Sequence, residues 1–221
     1  MYIPAAFKED RIDLMHELMR AHPLGLLISH GPGGLLATPV PFVSYAEAGG
    51  QGTLRAHLAR ANPHWQELAT VSECMVVFQG EHGYVSPSWY PSKQTHHRVV
   101  PTWNYATVHI WGKPLIIDDV GWLARQLNDL TNAQEGRRAQ PWAMGDAPSD
   151  YLATQMRALV GIEIAIARSE GKWKLSQNKD HGDRLGVIAG MRTTQDPHQH
   201  LPLADLLEQR LKDRFPQSGT V

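Results

Sequence analysis

The stretch from Gly83 to Gly112 concentrates the side chains with the clearest binding chemistry in this sequence. Its aromatic rings could supply stacking faces for a flat ligand, and its small hydroxyls, together with Lys93, could donate hydrogen bonds to a phosphate. The aromatic residues are Tyr84, Trp89, Tyr90, Trp103, Tyr105 and Trp111. This composition fits the wall of a site for an aromatic anion. It fits a packed core or a dimer interface equally well, and composition alone leaves both interpretations open.

A second group of candidate ligand-binding residues stands where a strand should meet a helix. Residues 53–58 alternate strictly between polar and apolar, which places His57 on the polar face of a strand. Asn62 is a good N-cap for a helix from about Pro63 to Thr70, because proline suits the first helical position. The free amides of such a helix start, with Arg60 and His57 beside them, would suit a phosphate. The same corner also occurs as pure architecture.

Several other site classes find no support in the sequence. The chain has 12 histidines, but the close pairs His96-His97 and His198-Gln199-His200 fit neither a zinc-type Cys/His pattern nor an H-E-x-x-H helix. We therefore predict no metal site. The G-x-S-x-G elbow, the G-x-x-x-x-G-K-[ST] loop and the G-x-G-x-x-G fingerprint are missing, which argues against hydrolase, nucleotide-triphosphatase and Rossmann dehydrogenase functions. No helix-turn-helix with a basic stripe is recognisable.

The size and charge of the chain limit the classes of protein to which it can belong. A chain of 221 residues can bury a substantial core, and a net charge of -1 gives no global attraction to nucleic acid or to an anionic membrane. The single cysteine, Cys74, lies in an apolar run and is expected to be a buried structural thiol. No apolar run approaches the roughly 20 residues that span a bilayer, and the N-terminus lacks a signal-peptide pattern. We expect a cytoplasmic protein.

The remaining pattern predicts short strands with helices between them or at the ends. We expect a hairpin of Leu24–His30 with Leu35–Tyr45, in which Pro39 and Pro41 mark an edge or a bulge. Three prolines should keep the loop between Tyr84 and Thr102 out of a helix. The other predicted strands are Cys74–Gly80, Thr102–Trp111 and Lys113–Ile117, with a second hairpin of Gly161–Arg168 and Lys172–Leu175. The predicted helices are Lys8–Arg20, one capped by Asp118-Asp119 that runs to about Leu130, Ser149–Leu159, Asp180–Met191 and Leu203–Phe215. Residues 133–148 should be irregular. About seven strands in this arrangement favour one antiparallel barrel with peripheral helices over residues 1–221.

Five short sequence motifs, in order along the chain, resemble those of the PaiB-type FMN-binding negative transcriptional regulators. They are Tyr2-x-Pro4 with Phe7, HLARANPHW at 57–65, YVSPSWY at 84–90, VPTWNY at 100–105 and KLSQN at 174–178. The resemblance covers nearly the whole chain without a large insertion. It implies a mainly β protein with peripheral helices (α+β), the antiparallel FMN-binding split β-barrel, and a homodimer with the flavin near the subunit interface.

The resemblance also implies cofactor-binding residues. Phosphate and ribityl contacts would come from Thr38, His57, Arg60 and Asn62. The isoalloxazine would be bordered by Ser88, Trp103, Asn104, Tyr105 and, from the partner subunit, Gln177. His57 stands where relatives often have a small hydroxyl.

The function that the resemblance implies is a regulator or sensor of gene expression. If the protein contacts DNA, a dimer face with Arg137, Arg138 or Lys93 would have to carry the contact. One alternative is a flavin-dependent reductase or oxidase of a small substrate, in which the cofactor carries out the redox chemistry. Another is a haem-binding or haem-degrading protein of the same fold, with His57, His109 or His198 as axial ligand.

Overall fold

The computed structural model describes residues 1–46 and 50–214. The chain divides into two compact units. The first unit contains Met1–Asp10, Gln79–Thr107 and the described residues from Gly171. The second unit contains Arg11–Phe78, except for the undescribed residues 47–49, and Val108–Glu170. The single domain predicted over residues 1–221 stays a prediction.

The described residues form ten strands, most of them short, and seven α-helices. The strands are β1 (Lys8–Glu9), β2 (Leu24–Gly31), β3 (Gly34–Pro41), β4 (Val43–Tyr45), β5 (Thr53–Ala59), β6 (Cys74–Val85), β7 (Thr102–Gly112), β8 (Pro114–Ile117), β9 (Leu159–Ala165) and β10 (Arg168–Lys174). The α-helices are α1 (Ile12–Ala21), α2 (His64–Leu68), α3 (Ser92–His96), α4 (Val120–Glu135), α5 (Ser149–Arg157), α6 (His181–Arg192) and α7 (Leu201–Arg214). Single 3₁₀ turns lie at Ala5–Phe7, Pro87–Trp89 and Met144–Asp146. No helix in the described part of the chain is both long and apolar enough to cross a membrane.

Two sheets organise these strands. One has six strands in the order β1-β10-β7-β6-β2-β3, and the other has four in the order β4-β5-β9-β8. Pairing is antiparallel between β2 and β3, between β2 and β6, and between β9 and each of its neighbours. The predicted antiparallel, mainly β architecture with peripheral helices is therefore confirmed.

The core of the second unit follows from strand periodicity. Leu54, Ala56 and Leu58 on β5 are buried, as their alternation predicts. In the register of β5 with β9, Leu54 lies opposite Ile164 and Ala56 opposite Ile162. All of these side chains are withdrawn from water, so burial of apolar area fixes which face of β5 turns inward.

The first hairpin forms as predicted, and its prolines mark an edge. Strands β2 and β3 pair from Leu24 opposite Pro41 to Gly31 opposite Gly34, and Gly34 takes a φ of +98°, which favours glycine. β3 is the last strand of its sheet, where the missing N–H groups of Pro39 and Pro41 cost no ladder bonds.

The helices of the first unit pack closely because of small residues. A Cβ atom on Gly190 of α6 would lie 2.3 Å from the indole ring of Trp89, and one on Gly186 would lie 2.1 Å from the Trp89 carbonyl oxygen. Trp89 also donates from Nε1 to Asp196, at 3.1 Å. The Pro87–Trp89 turn therefore docks directly on the backbone of α6.

Several sequence-based expectations were wrong in detail. The proline-rich loop does contain a helical turn, α3, because Pro91 precedes its first residue, where proline is tolerated. Strands β9 and β10 do not form a hairpin, since they belong to different sheets. The first helix begins at Ile12 rather than Lys8, and α4 continues to Glu135. Phe215, the predicted end of the last helix, lies outside the described residues.

Gly161 tests the packing of the four-stranded sheet. A Cβ atom at this position would lie 2.4 Å from the Trp122 ring and 3.2 Å from Ile117 Cβ. We expect Gly161→Ala to lower the free energy of unfolding by about 1–3 kcal/mol, because neighbouring groups must shift. Urea denaturation measures the change. Gly145→Ala is the control, since nothing lies within 4 Å of its added methyl group. Equal stability of the two variants would contradict this packing.

Candidate functional site

The strand-to-helix corner of the second unit is organised around His64. The Oδ1 atom of Asn62 accepts a hydrogen bond from the His64 backbone N–H at 3.0 Å, so Asn62 caps α2 as predicted. The buried His64 ring contacts two hydroxyls: Thr38 Oγ1 lies 2.7 Å from Nδ1, and Ser29 Oγ lies 3.0 Å from Nε2. Two predicted phosphate ligands, Thr38 and Asn62, are thus joined through a histidine.

His64 and Ser29 are residues that sequence reasoning missed. Burial lowers the pKa of His64, with a smaller opposing effect of the Glu67 carboxylate, so the ring is neutral at neutral pH. A neutral ring donates from one nitrogen and accepts at the other, which makes one hydroxyl its acceptor and the other its donor. The signal available in the sequence was the position of His64 at the predicted helix start. Nothing in the sequence pointed to Ser29.

The other two predicted phosphate ligands contact different partners. The Arg60 guanidinium donates to both carboxylate oxygens of Asp118, at 3.1 and 2.5 Å, and to the backbone oxygens of Arg157 and Leu159. The hydrogen bond from Arg60 lowers the pKa of Asp118. This ion pair is exposed, and exposed ion pairs contribute little to stability.

His57 lies next to an incompletely bonded amide. Its Nδ1 atom is 2.8 Å from Oε1 of Gln126, a buried residue of α4. The Nε2 atom of Gln126 is buried and has no hydrogen-bond partner among the described residues. His57 therefore points toward α4, whereas Thr38 and Asn62 contact α2.

Three of the five residues predicted to border the isoalloxazine, all in the first unit, form hydrogen bonds within the protein. Asn104 is buried and donates from Nδ2 to Ser176 Oγ at 3.0 Å. Gln177 donates to the Trp173 carbonyl at 2.5 Å and accepts from the Leu175 N–H at 2.7 Å. The exposed Ser88 shares a hydrogen bond with Ser86 Oγ at 2.6 Å. Asn104 and Gln177 therefore hold the end of β10 in place.

The other two, Trp103 and Tyr105, lie on one side of β7. Trp103 is 54% exposed, whereas the intervening Asn104 is buried. The ring of His82 stacks on Trp103 with centroids 6.5 Å apart, and Tyr84 contacts it edge-on at 6.2 Å. His198 packs on Tyr84 at 4.6 Å. We call this surface, formed by Trp103, Tyr105, His82, Tyr84 and His198, the aromatic face.

Two lysines of β10 adjoin the aromatic face. The ammonium groups of Lys172 and Lys174 lie 5.3 and 5.9 Å from the centre of the Tyr105 ring. Lys174 donates to Thr102 Oγ1 and to the Trp103 carbonyl. Burial, and next the positive charge of Lys172, lowers the pKa of Lys174. The lysines were missed, although their spacing of two on a predicted strand placed them on one face.

The remaining candidates are those for metal, haem and DNA binding. Within residues 1–46 and 50–214, no group of three or more His, Cys, Asp or Glu could hold a metal ion. His109, a candidate haem ligand, packs beside Trp111 at 5.7 Å, and burial lowers its pKa. Arg138, a candidate for DNA contact, pairs with Glu135 at 3.2 Å. Arg137 is exposed and Lys93 is half-buried.

Comparison with known proteins decides the family. Residues 1–168 match the family model described as "Putative FMN-binding domain". The chain belongs to this family. It is 28% identical to the Bacillus subtilis protein "Protease synthase and sporulation protein PAI 2", over 97% of this chain and 100% of that protein. It is 34% identical to an uncharacterised protein of Emericella nidulans, over 86% of this chain and 90% of that protein.

A solved structure supports the fold. The FAD- and haem-binding protein from Mycobacterium smegmatis superposes with a TM-score of 0.55 at 19% identity, over 83% of this chain and 80% of that chain. The predicted PaiB-type membership and the flavin-binding split-barrel fold are thus confirmed. FMN is confirmed as the family's cofactor.

The lysine pair offers a direct electrostatic test. Because the charge of Lys172 lowers the pKa of Lys174, we expect Lys172→Met to raise it, while the effect of burial remains. Lysine-specific NMR titration measures this pKa, with the signal assigned by its loss in Lys174→Arg. Lys113→Met is the control and should leave the titration unchanged. A Lys174 pKa that is the same with and without Lys172 would show that the two ammonium groups do not interact.

Proposed function

We propose that this protein is an FMN-binding regulator of gene expression that works as a homodimer. The observation that carries the proposal is the alignment with the Bacillus protein, which spans essentially both chains. The name of that relative refers to a protease synthase and to sporulation. Regulation by a flavin-binding protein accounts for this similarity and for the family match together.

The phosphate and ribityl contacts are proposed at the corner of the second unit. Its donor set suits an anion when His64 carries its proton on Nδ1 and donates to Thr38, because the Thr38 hydroxyl then keeps its own proton for the anion. Asn62 adds the N–H groups of its side-chain amide. Arg60 can exchange Asp118 for a phosphate, since both carboxylate and phosphate match the fork of a guanidinium. His57 is the weakest member of the set, because Gln126 already holds one of its nitrogens.

The side chains that the family resemblance predicts as ring contacts all belong to the first unit. When bound, FMN supplies an isoalloxazine ring that can take up and release electrons. The exposed Trp103 and the half-buried Tyr105 are suited to packing against a planar ring. Asn104 and Gln177 would act indirectly by fixing the end of β10, and Ser88 offers a hydroxyl at the surface.

An exposed apolar edge supports the homodimer. Strand β3 is the last strand of its sheet and carries Leu35, which is 74% exposed. Leu24 and Leu26 on the paired strand β2 are 62% and 37% exposed. Exposed leucines are costly in water, and their side chains are suited to packing against a second copy.

We expect the wild-type protein to sediment as a dimer and to shift a subset of duplex fragments from its own genome in a gel assay. The shift should weaken steeply with salt, because DNA binding by basic side chains releases counterions. Leu35→Glu should sediment as a monomer and lose the shift, since a buried carboxylate at the interface is unfavourable.

Leu201→Glu is the matched control, because Leu201 is 51% exposed at the start of α7 and lies outside the β2–β3 edge. It should leave both the sedimentation and the gel shift unchanged. A Leu35→Glu variant that remains dimeric would contradict the proposed interface. The absence of any salt-sensitive, sequence-dependent shift by wild type would contradict the role as a DNA-binding regulator.

A further inference from the structure

We propose that Lys174 is a reactive amine that forms an imine with a short-chain oxo acid, a small molecule that carries both a carbonyl group and a carboxylate. The Nζ atom of Lys174 would bond to the carbonyl carbon, and the ammonium group of Lys172 would bind the carboxylate. The inference goes beyond the proposed function and does not involve FMN, so its failure would leave that function standing.

The Lys174 amine is held in place by two hydrogen-bond acceptors. Its Nζ atom donates to Thr102 Oγ1 at 2.5 Å and to the Trp103 carbonyl oxygen at 2.6 Å. A neutral amine has two N–H groups and one lone pair, so these two bonds can use both N–H groups. The lone pair, which is the nucleophile, then stays available for a carbonyl carbon. No other lysine in the described part of the chain donates to two acceptors within the protein.

The surroundings of Lys174 favour this neutral form. The side chain is half-buried, and none of the described carboxylates forms an ion pair with it. Lys8, which faces Lys172 across the β1–β10 pair, is itself paired with Asp10 at 2.9 Å. Burial, and next the positive charge of Lys172, lowers the pKa of the Lys174 amine. A desolvated lysine beside a second cation is an activated nucleophile, because more of it is neutral at a given pH.

Lys172 is the cation that would bind the carboxylate of the oxo acid. The Nζ atoms of Lys172 and Lys174 both lie over the ring of Tyr105, at 5.3 and 5.9 Å from its centre. Lys172 donates one hydrogen bond to the Tyr2 carbonyl at 3.1 Å, which leaves two of its three N–H groups for an anion. The carboxylate would also remove the repulsion that the Lys172 charge exerts on the neighbouring amine.

The spacing of the two lysines favours a short ligand. Alternate residues of a strand lie roughly 7 Å apart, and a charge-assisted hydrogen bond is about 2.8 Å long. Because the two Nζ atoms also lie over one tyrosine ring, only a few bonds can separate the carbonyl carbon at Lys174 from the carboxylate at Lys172. An uncharged aldehyde would lose the contact with Lys172.

The reaction is a condensation that needs no oxidant or reductant. The lone pair of the Lys174 Nζ atom attacks the carbonyl carbon, and the electron pair of the carbonyl π bond moves to oxygen. A proton passes from nitrogen to that oxygen and gives a carbinolamine. The Thr102 hydroxyl, 2.5 Å from Nζ, is placed to relay this proton. Loss of the hydroxyl group with the second nitrogen-bound proton releases water and leaves the C=N bond.

Reductive labelling of the full chain tests the proposal. The protein is incubated with glyoxylate and sodium cyanoborohydride, which reduces an imine to a stable secondary amine, and peptide mass spectrometry measures the labelling rate of each lysine. At neutral pH we expect Lys174 to be labelled roughly tenfold or more faster than the exposed Lys113, because more of its amine is neutral and Lys172 attracts the carboxylate. With propionaldehyde, which has no carboxylate, the ratio of the two rates should be smaller.

Substitutions separate the two lysines. Lys172→Met should slow the labelling of Lys174 by glyoxylate roughly tenfold, whereas Lys172→Arg, which keeps the positive charge, should largely preserve it. Lys174→Arg should abolish labelling at this position and so confirms the assignment of the peptide. Lys113→Met is the control and should leave the rate at Lys174 unchanged. Circular dichroism should show that every variant is folded.

Two results would overturn the inference. Equal labelling rates of Lys174 and Lys113 would show that Lys174 is not a reactive amine. A ratio of these rates that is the same with glyoxylate and propionaldehyde, or that Lys172→Met does not change, would remove the role of Lys172 and the assignment to an oxo acid.

Discussion

The alternation of side chains along β7 is the constraint on which the first unit depends. Asn104 and Ala106 are buried, and Asn104 donates its amide hydrogen to Ser176 across the end of β10. Because successive side chains of a strand point to opposite faces, this burial forces Trp103 and Tyr105 to the other side. The same rule on β10 buries Trp173 and turns Lys172 and Lys174 outward. An aromatic and cationic surface thus follows directly from how the core is filled.

In the second unit, hydrogen bonds hold the polar side chains of the candidate site in position. A buried imidazole links the hydroxyls of Ser29 and Thr38, and Asn62 fixes the backbone at the start of α2. Arg60 is held by Asp118 and by two backbone carbonyls, so its guanidinium is fixed in place. An anion that replaces Asp118 would meet an ordered guanidinium, which lowers the entropy cost of binding.

Much of the fold could be predicted from the sequence, because periodicity and turn residues act locally. The alternation of 53–58 identified β5 and its buried face, and the glycines after His30 identified the first hairpin. The pairing of β9 and β10 could not be predicted in this way. Neighbouring strands usually pair, but here they join different sheets, and partner choice depends on contacts that are distant in sequence.

The sequence could predict which residues belong to the candidate site, but it could not predict which side chains contact one another. The motifs that carry the family resemblance contain His64 and Lys174. The hydrogen bonds of His64 are made with Ser29 and Thr38, and the pKa of Lys174 is lowered by its burial and by the charge of Lys172. These three partners lie outside the motifs. Likewise, the sequence indicated Arg60 as a cation but gave no sign that Asp118, far along the chain, binds it. Side-chain partners of this kind are set by tertiary packing.

A visible absorption spectrum of the gel-filtered protein shows directly whether this chain binds FMN. The purified protein is incubated with excess FMN, passed through a gel-filtration column and scanned across the flavin bands. We expect flavin absorbance to elute with the folded protein. Folded protein that elutes without flavin absorbance, after exposure to excess FMN, would contradict it.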